Sequence, residues 1–189
     1  MSFRPTILCI MLAVFLSLGQ QAWAEDGIFF KRHAMHKVDA SNNVYLVSAQ
    51  VHFQLTPYLK QALMNGVALK VGIFFGLGEQ RSWWWNKTEP LVQMSYQLKY
   101  HALSRHFLLT RNDTNENWNY RALPAALRQM GNIVNYKLPA LPDSVRDGEH
   151  FIYMGVRLSP ATVRLPLKIQ SLFSDQYSLS SEVISWPLP

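Results

Sequence analysis

Tyr45-Leu46-Val47-Ser48-Ala49-Gln50-Val51-His52-Phe53-Gln54-Leu55 is the stretch that decides the fold class. Its odd-numbered positions are all apolar, while Ser48, Gln50, His52 and Gln54 stand between them. A period of two marks a strand with one face buried and the other wet. On a helix, with 3.6 residues per turn, the same pattern would scatter apolar groups around the whole circumference.

Four further segments repeat the pattern. Val67, Leu69, Val71, Ile73, Phe75 and Leu77 alternate with Ala68, Lys70, Gly72 and Gly76. Val92, Met94, Tyr96, Leu98 and Tyr100 alternate with Gln93, Ser95, Gln97 and Lys99. Ile152, Met154, Val156 and Leu158 form another set, and Leu165, Leu167 and Ile169 a shorter one. Upstream, Ile28 to Lys37 reads as a strand paired with Val44–Leu55 across the turn Ser41-Asn42-Asn43. A turn at Leu103-Ser104 joins Val92–Tyr100 to His106–Arg111. One-sided alternation favours antiparallel sheets whose outer faces meet water. The expected fold is therefore mainly β: an antiparallel β-sandwich, or a partly open barrel, with two short helices.

The first helix is Thr56 to Asn65. Thr56 caps it, Pro57 fits the first helical position, and Gly66 stops it. Leu59, Leu63 and Met64 form its apolar stripe. The second runs from Leu123 to Met130, with Pro124 in its first turn, Gly131 after its end, and Ala126, Leu127 and Met130 facing inward. Asn112 to Asn119 and Leu138 to Gly148 read as polar loops.

The amino terminus has the grammar of a secretory signal peptide. Arg4 supplies positive charge, Ile7 to Leu18 is apolar, and Ala22-Trp23-Ala24 is a small-x-small cleavage signal. At ~1.5 Å per residue the apolar stretch spans roughly 18 Å, short of a ~30 Å hydrocarbon core. Cleavage after residue 24 leaves a single domain over residues 25–189, exported and free of the chain's one cysteine, Cys9. Disulfides, thiolate nucleophiles and cysteine metal sites are thereby excluded. Of 18 Lys and Arg against 12 Asp and Glu, only Arg4 falls in the leader, so the mature domain carries +5. The cations look scattered, with Lys31-Arg32 the one adjacent pair, and no basic stripe argues for nucleic acid.

Candidate chemistry is thin. Trp83-Trp84-Trp85, with Arg81 before and Lys87 after, is the most conspicuous cluster. Consecutive residues of a strand point to opposite faces, so three indoles do not all enter one core. Exposed indoles stack on sugars or anchor protein interfaces, and Arg81, Trp83, Trp84, Trp85 and Lys87 are the expected contact surface. His33 and His36, with Met35 between them, suggest a metal-handling alternative, but on a strand the two imidazoles face opposite sides. His101, Ser104 and His106 suggest an envelope enzyme acting on cell-wall glycan. No G-x-S-x-G elbow and no placed carboxylate support it. Neither a cofactor nor a metal site is expected, and a non-enzymatic role is.

The chain resembles the Gram-negative bacterial family known as domain of unknown function 4390. The resemblance rests on Leu55-Thr56-Pro57, Gln61 to Leu69, Arg81 with Trp83-Trp84-Trp85, and Leu98 to Arg105. It continues through Ala125-Ala126-Leu127, Val156-Arg157-Leu158, Leu165-Pro166-Leu167, and Leu179 to Glu182 ending in Trp186. Where the family tends to carry tryptophan, this chain has Tyr177 and Val183. The resemblance implies a periplasmic protein with no assigned activity, cofactor or catalytic residue. Family genes that lie beside sensor-kinase genes suggest a role in envelope or two-component signalling. A protein or glycan of the envelope, or a sensor kinase, is the expected partner.

Overall fold

A computed structural model describes residues 26–38, 43–80, 87–142, 145, 148–161 and 178–188. In chain order they form β1 (Gly27–Lys37), β2 (Tyr45–Gln54), α1 (Pro57–Met64), β3 (Leu69–Glu79), β4 (Lys87–His101) and β5 (His106–Arg111). Then follow β6 (Glu116–Tyr120), α2 (Leu123–Gly131), β7 (Asn132–Lys137), β8 (His150–Pro160), β9 (Leu179–Ser180) and β10 (Ile184–Pro187). Strands β1-β2-β7 make a small sheet, and β10-β8-β3-β4-β5-β6 a large one with β9 also beside β8. Among the described residues every strand pairing is antiparallel, and a single parallel bridge, Ile28 to Ser181, ties the two sheets together at one side. The expected mainly β, antiparallel architecture with two short helices holds, and neither sheet closes on itself into a barrel among the described residues.

The alternation read from the sequence maps directly onto the core. Tyr45, Val47, Ala49, Val51 and Phe53 of β2 are buried, as are Val71, Ile73 and Phe75 of β3 and Met154, Val156 and Leu158 of β8. Register sets Val71 opposite Leu158, Ile73 opposite Val156 and Phe75 opposite Met154, so one face of the large sheet is continuous hydrocarbon. Each such side chain contributes about 1.5–3 kcal/mol by leaving water. The two sheets meet through these faces. Tyr136 of the small sheet stacks on Phe75 of the large one, with centroids 5.4 Å apart and planes 17° from parallel.

The outer face of the large sheet uses glycine differently. Gly76 and Gly155 lie opposite Tyr153 and Phe74 on the neighbouring strand, whose rings fold over them at 2.2 Å and 2.3 Å from where a Cβ would be. A side chain at either glycine would have to expel the ring.

Some expectations need correction. Asn112–Asn119 is not one loop: Asn112 to Asn115 turn tightly, Asn115 with φ +57°, and β6 follows. Polar Glu116, Asn117 and Asn119 alternate there with half-buried Trp118 and Tyr120, an edge strand whose outward face imitates a loop. Met64 is exposed while Leu59 and Leu63 are buried, because one more residue turns the side chain ~100° off the stripe. Gly131 lies inside α2 as its last residue and is buried. β7 has no period-two signature in the sequence, because its bulge at Asn135 (φ +47°) breaks the alternation between Ile133 and Tyr136. The stretch Leu165–Ile169 and residues 1–24, expected to be a signal peptide, fall outside the described residues.

Candidate functional site

Of the surface expected from the sequence, Arg81, Trp83, Trp84 and Trp85 lie outside the described residues. Lys87 opens β4, exposed, with its Nζ 2.6 Å from Glu89. His101 and His106 face each other across the β4–β5 hairpin, and both bond to the turn at Ser104. Ser104 Oγ is 3.1 Å from His101 Nδ1, and His106 Nδ1 reaches the Ser104 carbonyl. These bonds close an exposed turn, and among the described residues no carboxylate bonds to either ring. His33 and His36 are brought no closer to one another: opposite Ala49 and Leu46, they sit on opposite faces of β1. His33 packs edge-on against Trp186, 5.5 Å between centroids.

Two constructions the sequence did not announce stand out. The first is a polar cluster where the sheets meet. Arg111 of β5 lies over the rings of both Tyr96 and Tyr136, about 6 Å from each, and its Nε donates to Asp113 at 3.0 Å. Glu116 is 3.6 Å from its other end. Burial raises the Tyr96 hydroxyl pKa above the ordinary value; Arg111 opposes that rise, and the carboxylates Asp113 and Glu116 add to it. Burial likewise raises Tyr136. For Arg111 burial works against the charge, but the Asp113 hydrogen bond and the surrounding negative groups outweigh it, so its pKa also rises. The guanidinium is stacked, bonded and largely enclosed, which makes it a structural clamp between the sheets.

The second is a cleft of about 740 Å³ between β2 and α2. Leu123 and Leu127 of α2, half-buried, supply its apolar surface, and the almost wholly buried Val51, Phe53 and Leu55 of the β2 segment lie beneath its floor. Gln50, His52, Gln54, Gln129 and Asn132 bring amides and an imidazole to it. Lys31, Lys60 and Arg128 bring charge, and no carboxylate lines it. Lys31 is there because β1 bulges: the register passes from Phe30 opposite Val51 to Arg32 opposite Gln50, leaving Lys31 as the extra residue. A second depression of about 700 Å³ continues across the small sheet, sharing Lys31, Gln50 and Asn132 and adding Arg32.

The charge is segregated by layer. Strands β1, β2 and β7 and both helices carry six cations, Lys31, Arg32, Lys37, Lys60, Arg128 and Lys137, and not one Asp or Glu. The ion pairs Lys87–Glu89 and Arg111 with Asp113 and Glu116 belong to the large sheet and its turns. Among the described residues no carboxylate pairs with Lys31, Lys60 or Arg128. Unpaired like charges around a concave, partly apolar wall focus field and concentrate anions.

Two facing antiparallel sheets, one carrying charges of both signs and one basic with an open cleft, define a mainly β domain of sandwich architecture. Residues 34–187 match the family model described as Domain of unknown function (DUF4390), which takes in well over half of the chain. The chain belongs to that family. No curated protein and no solved structure matches it.

Proposed function

We propose that this chain is an exported, non-enzymatic binding domain that holds an anionic partner in the cleft between β2 and α2. The observation that carries the reading is the charge segregation: cations without counter-charges gather around one concave wall. The leader sequence and the absence of a catalytic constellation in the sequence support the compartment and the non-enzymatic role. A ligand held this way is recognised by charge at the rim and by apolar contact along the wall, so its affinity falls as salt screens the rim.

The test compares the natural chain with a Lys31→Gln, Lys60→Gln, Arg128→Gln variant, titrated with polyglutamate and with a sulfated glycan at low and at physiological salt. The three cations are surface groups, so their replacement leaves stability within about 0.5 kcal/mol each. Expected is salt-sensitive binding of at least one polyanion, weakened about tenfold in the variant, since exposed pairs contribute ~0.2–1 kcal/mol apiece. Equal binding by the two proteins, or none by either at low salt, would remove the cleft as the site.

A further inference from the structure

The outer face of the large sheet holds a pocket of its own, about 760 Å³, over the first half of β3. Strand alternation decides what it is made of. Val71, Ile73 and Phe75 are buried in the core, so Lys70, Gly72 and Phe74 point outward. Gly72 lies between Ser95 of β4 and Arg157 of β8, and without a side chain it leaves a gap in the face. A Cβ built there lies 2.7 Å from Gln93 Nε2 and, chain neighbours aside, within 4 Å of no other residue. Glycine is thus the floor and its neighbours are the walls. Phe74, half-buried, bounds one end, its ring leaning across Gly155 of β8.

The walls are polar and open to solvent. Gln93, Ser95, Asn112, Ser159 and Ser180 bring amides and hydroxyls, none of them buried. Ser95 Oγ accepts from Asn112 Nδ2 at 3.0 Å, while the side chains of Gln93, Ser159 and Ser180 make no hydrogen bond among the described residues. Two exposed cations complete the lining, Lys70 opposite Ser159 and Arg157 opposite Gly72. They are diagonal neighbours on adjoining strands, roughly 7–8 Å apart, close enough for two long side chains to meet on one anion. No carboxylate lines the pocket: Asp113 and Glu182, next in sequence to Asn112 and Ser181, stay outside it, and Asp113 is held by Arg111. Among the described residues no carboxylate pairs with Lys70 or Arg157.

From this chemistry we infer that the pocket binds an acidic saccharide. Its carboxylate sits between Lys70 and Arg157, and one sugar ring lies against Phe74 above the gap at Gly72. Amides and hydroxyls both donate and accept, which matches a ligand dense in hydroxyl groups. The negative face of a phenyl ring attracts the C–H face of a pyranose. The paired cations, with no counter-charge in the lining, select the acidic sugar over the neutral one. The pocket shares no lining residue with the cleft between β2 and α2, so the two sites stand or fall separately.

The probe is trigalacturonate, titrated calorimetrically at low salt into the full chain carrying Lys31→Gln, Lys60→Gln and Arg128→Gln, so that the cleft contributes nothing. Its methyl ester keeps the sugar and removes the charge. Triglutamate, acetylated and amidated at its ends, keeps the charge and removes the sugar. Two variants of the pocket are compared: Lys70→Gln with Arg157→Gln, and Gly72→Val. The first changes only exposed groups, and the second fills the floor while leaving both charges, displacing only the free end of Gln93. Expected are binding of trigalacturonate, a loss of about tenfold in the charge variant, and a loss of at least fivefold in Gly72→Val. The ester and the peptide should each bind about tenfold more weakly than the acid sugar. Undiminished binding to either folded variant places the sugar elsewhere and overturns the site. A peptide bound as tightly as trigalacturonate overturns the saccharide reading, and no binding of trigalacturonate at low salt overturns the whole inference.

Discussion

Gly131→Ala sets two well-measured effects against each other. Gly131 ends α2 with its backbone against β2: a Cβ built there lies 2.1 Å from Val51 O, 3.0 Å from the same carbonyl carbon and 3.3 Å from Phe53 Cε2. Its φ is not in the left-handed region, unlike those of Gly66 and Gly148, so alanine is conformationally allowed. On unfolded-state entropy alone the substitution should stabilise by about 0.4–1 kcal/mol. Against that, carbon and carbonyl oxygen ordinarily approach no closer than ~3.3 Å, so roughly 1.2 Å must be made up. The offending atom belongs to the backbone of a central strand and has no rotamer to escape into. Forcing such an overlap costs typically 1–3 kcal/mol, toward the upper end where backbone must move. The net expectation is a loss of about 2 kcal/mol, because moving α2 also loosens Ala126 and Met130, both fully buried. In a domain of this size that lowers Tm by about 4–8 °C. Urea and thermal melts followed by far-UV circular dichroism measure it. Gly66→Ala is the control, for its φ is +89° with no atom within 4 Å of a Cβ, so only backbone strain of ~1–2 kcal/mol applies. A Gly131→Ala protein as stable as the natural one would refute the close approach of α2 to β2, and with it the closed end of the cleft.

Two further outcomes follow from the same geometry. Tyr96 and Tyr136 have folded-state pKa values raised by burial, so their protonated forms favour the native state. That contribution is fully present below the unfolded value near 10 and is lost as pH rises through the folded values. Urea midpoints should fall above pH ~10 in the natural chain, and Tyr96→Phe should flatten the fall; an unchanged slope would place the hydroxyl in water. Thr56 Oγ1 accepts from Leu59 N at 3.1 Å and caps α1, so Thr56→Ala should cost about 1 kcal/mol by chemical denaturation. Thr56→Ser should restore most of it, and a loss that serine does not recover would assign the effect to the methyl group's packing.

What was legible in the sequence was the core, and for a simple reason. Alternation reports burial directly, so Val47, Val51, Val71, Ile73, Met94 and Val156 could be placed before any topology was known. Pairing was legible only where a short turn forced it, as between β1 and β2 and between β4 and β5. β3 sits between β4 and β8, and its β8 partner comes some eighty residues later, a contact that no local pattern encodes. Strands with irregular faces were lost for the same physical reason that makes them useful. The bulge at Asn135 that hid β7 is held by Ser48, whose Oγ accepts from Asn135 N at 3.0 Å.

The cleft shows a different kind of concealment. Its cations come from three distant segments, Lys31, Lys60 and Arg128, and along the chain they look like an ordinary solvated scatter. The legible signal was the missing acid. From Gly27 to Gly78 the sequence holds a single carboxylate, Asp39, and from Asn117 to Pro142 it holds none. Those two intervals contain the small sheet, both helices and β3 almost to its end. The topology then folds the two acid-free intervals onto each other, since β7 pairs with β2 and α2 packs on it, while Glu89, Asp113 and Glu116 remain with the large sheet. A uniform field over one layer thus arises from depletion, not from a run of basic residues. Placing glutamate at Gln50, on the wet side of β2 beside Lys31, should therefore erode the field more than removing any one distant lysine, because it introduces a counter-charge where the fold has none.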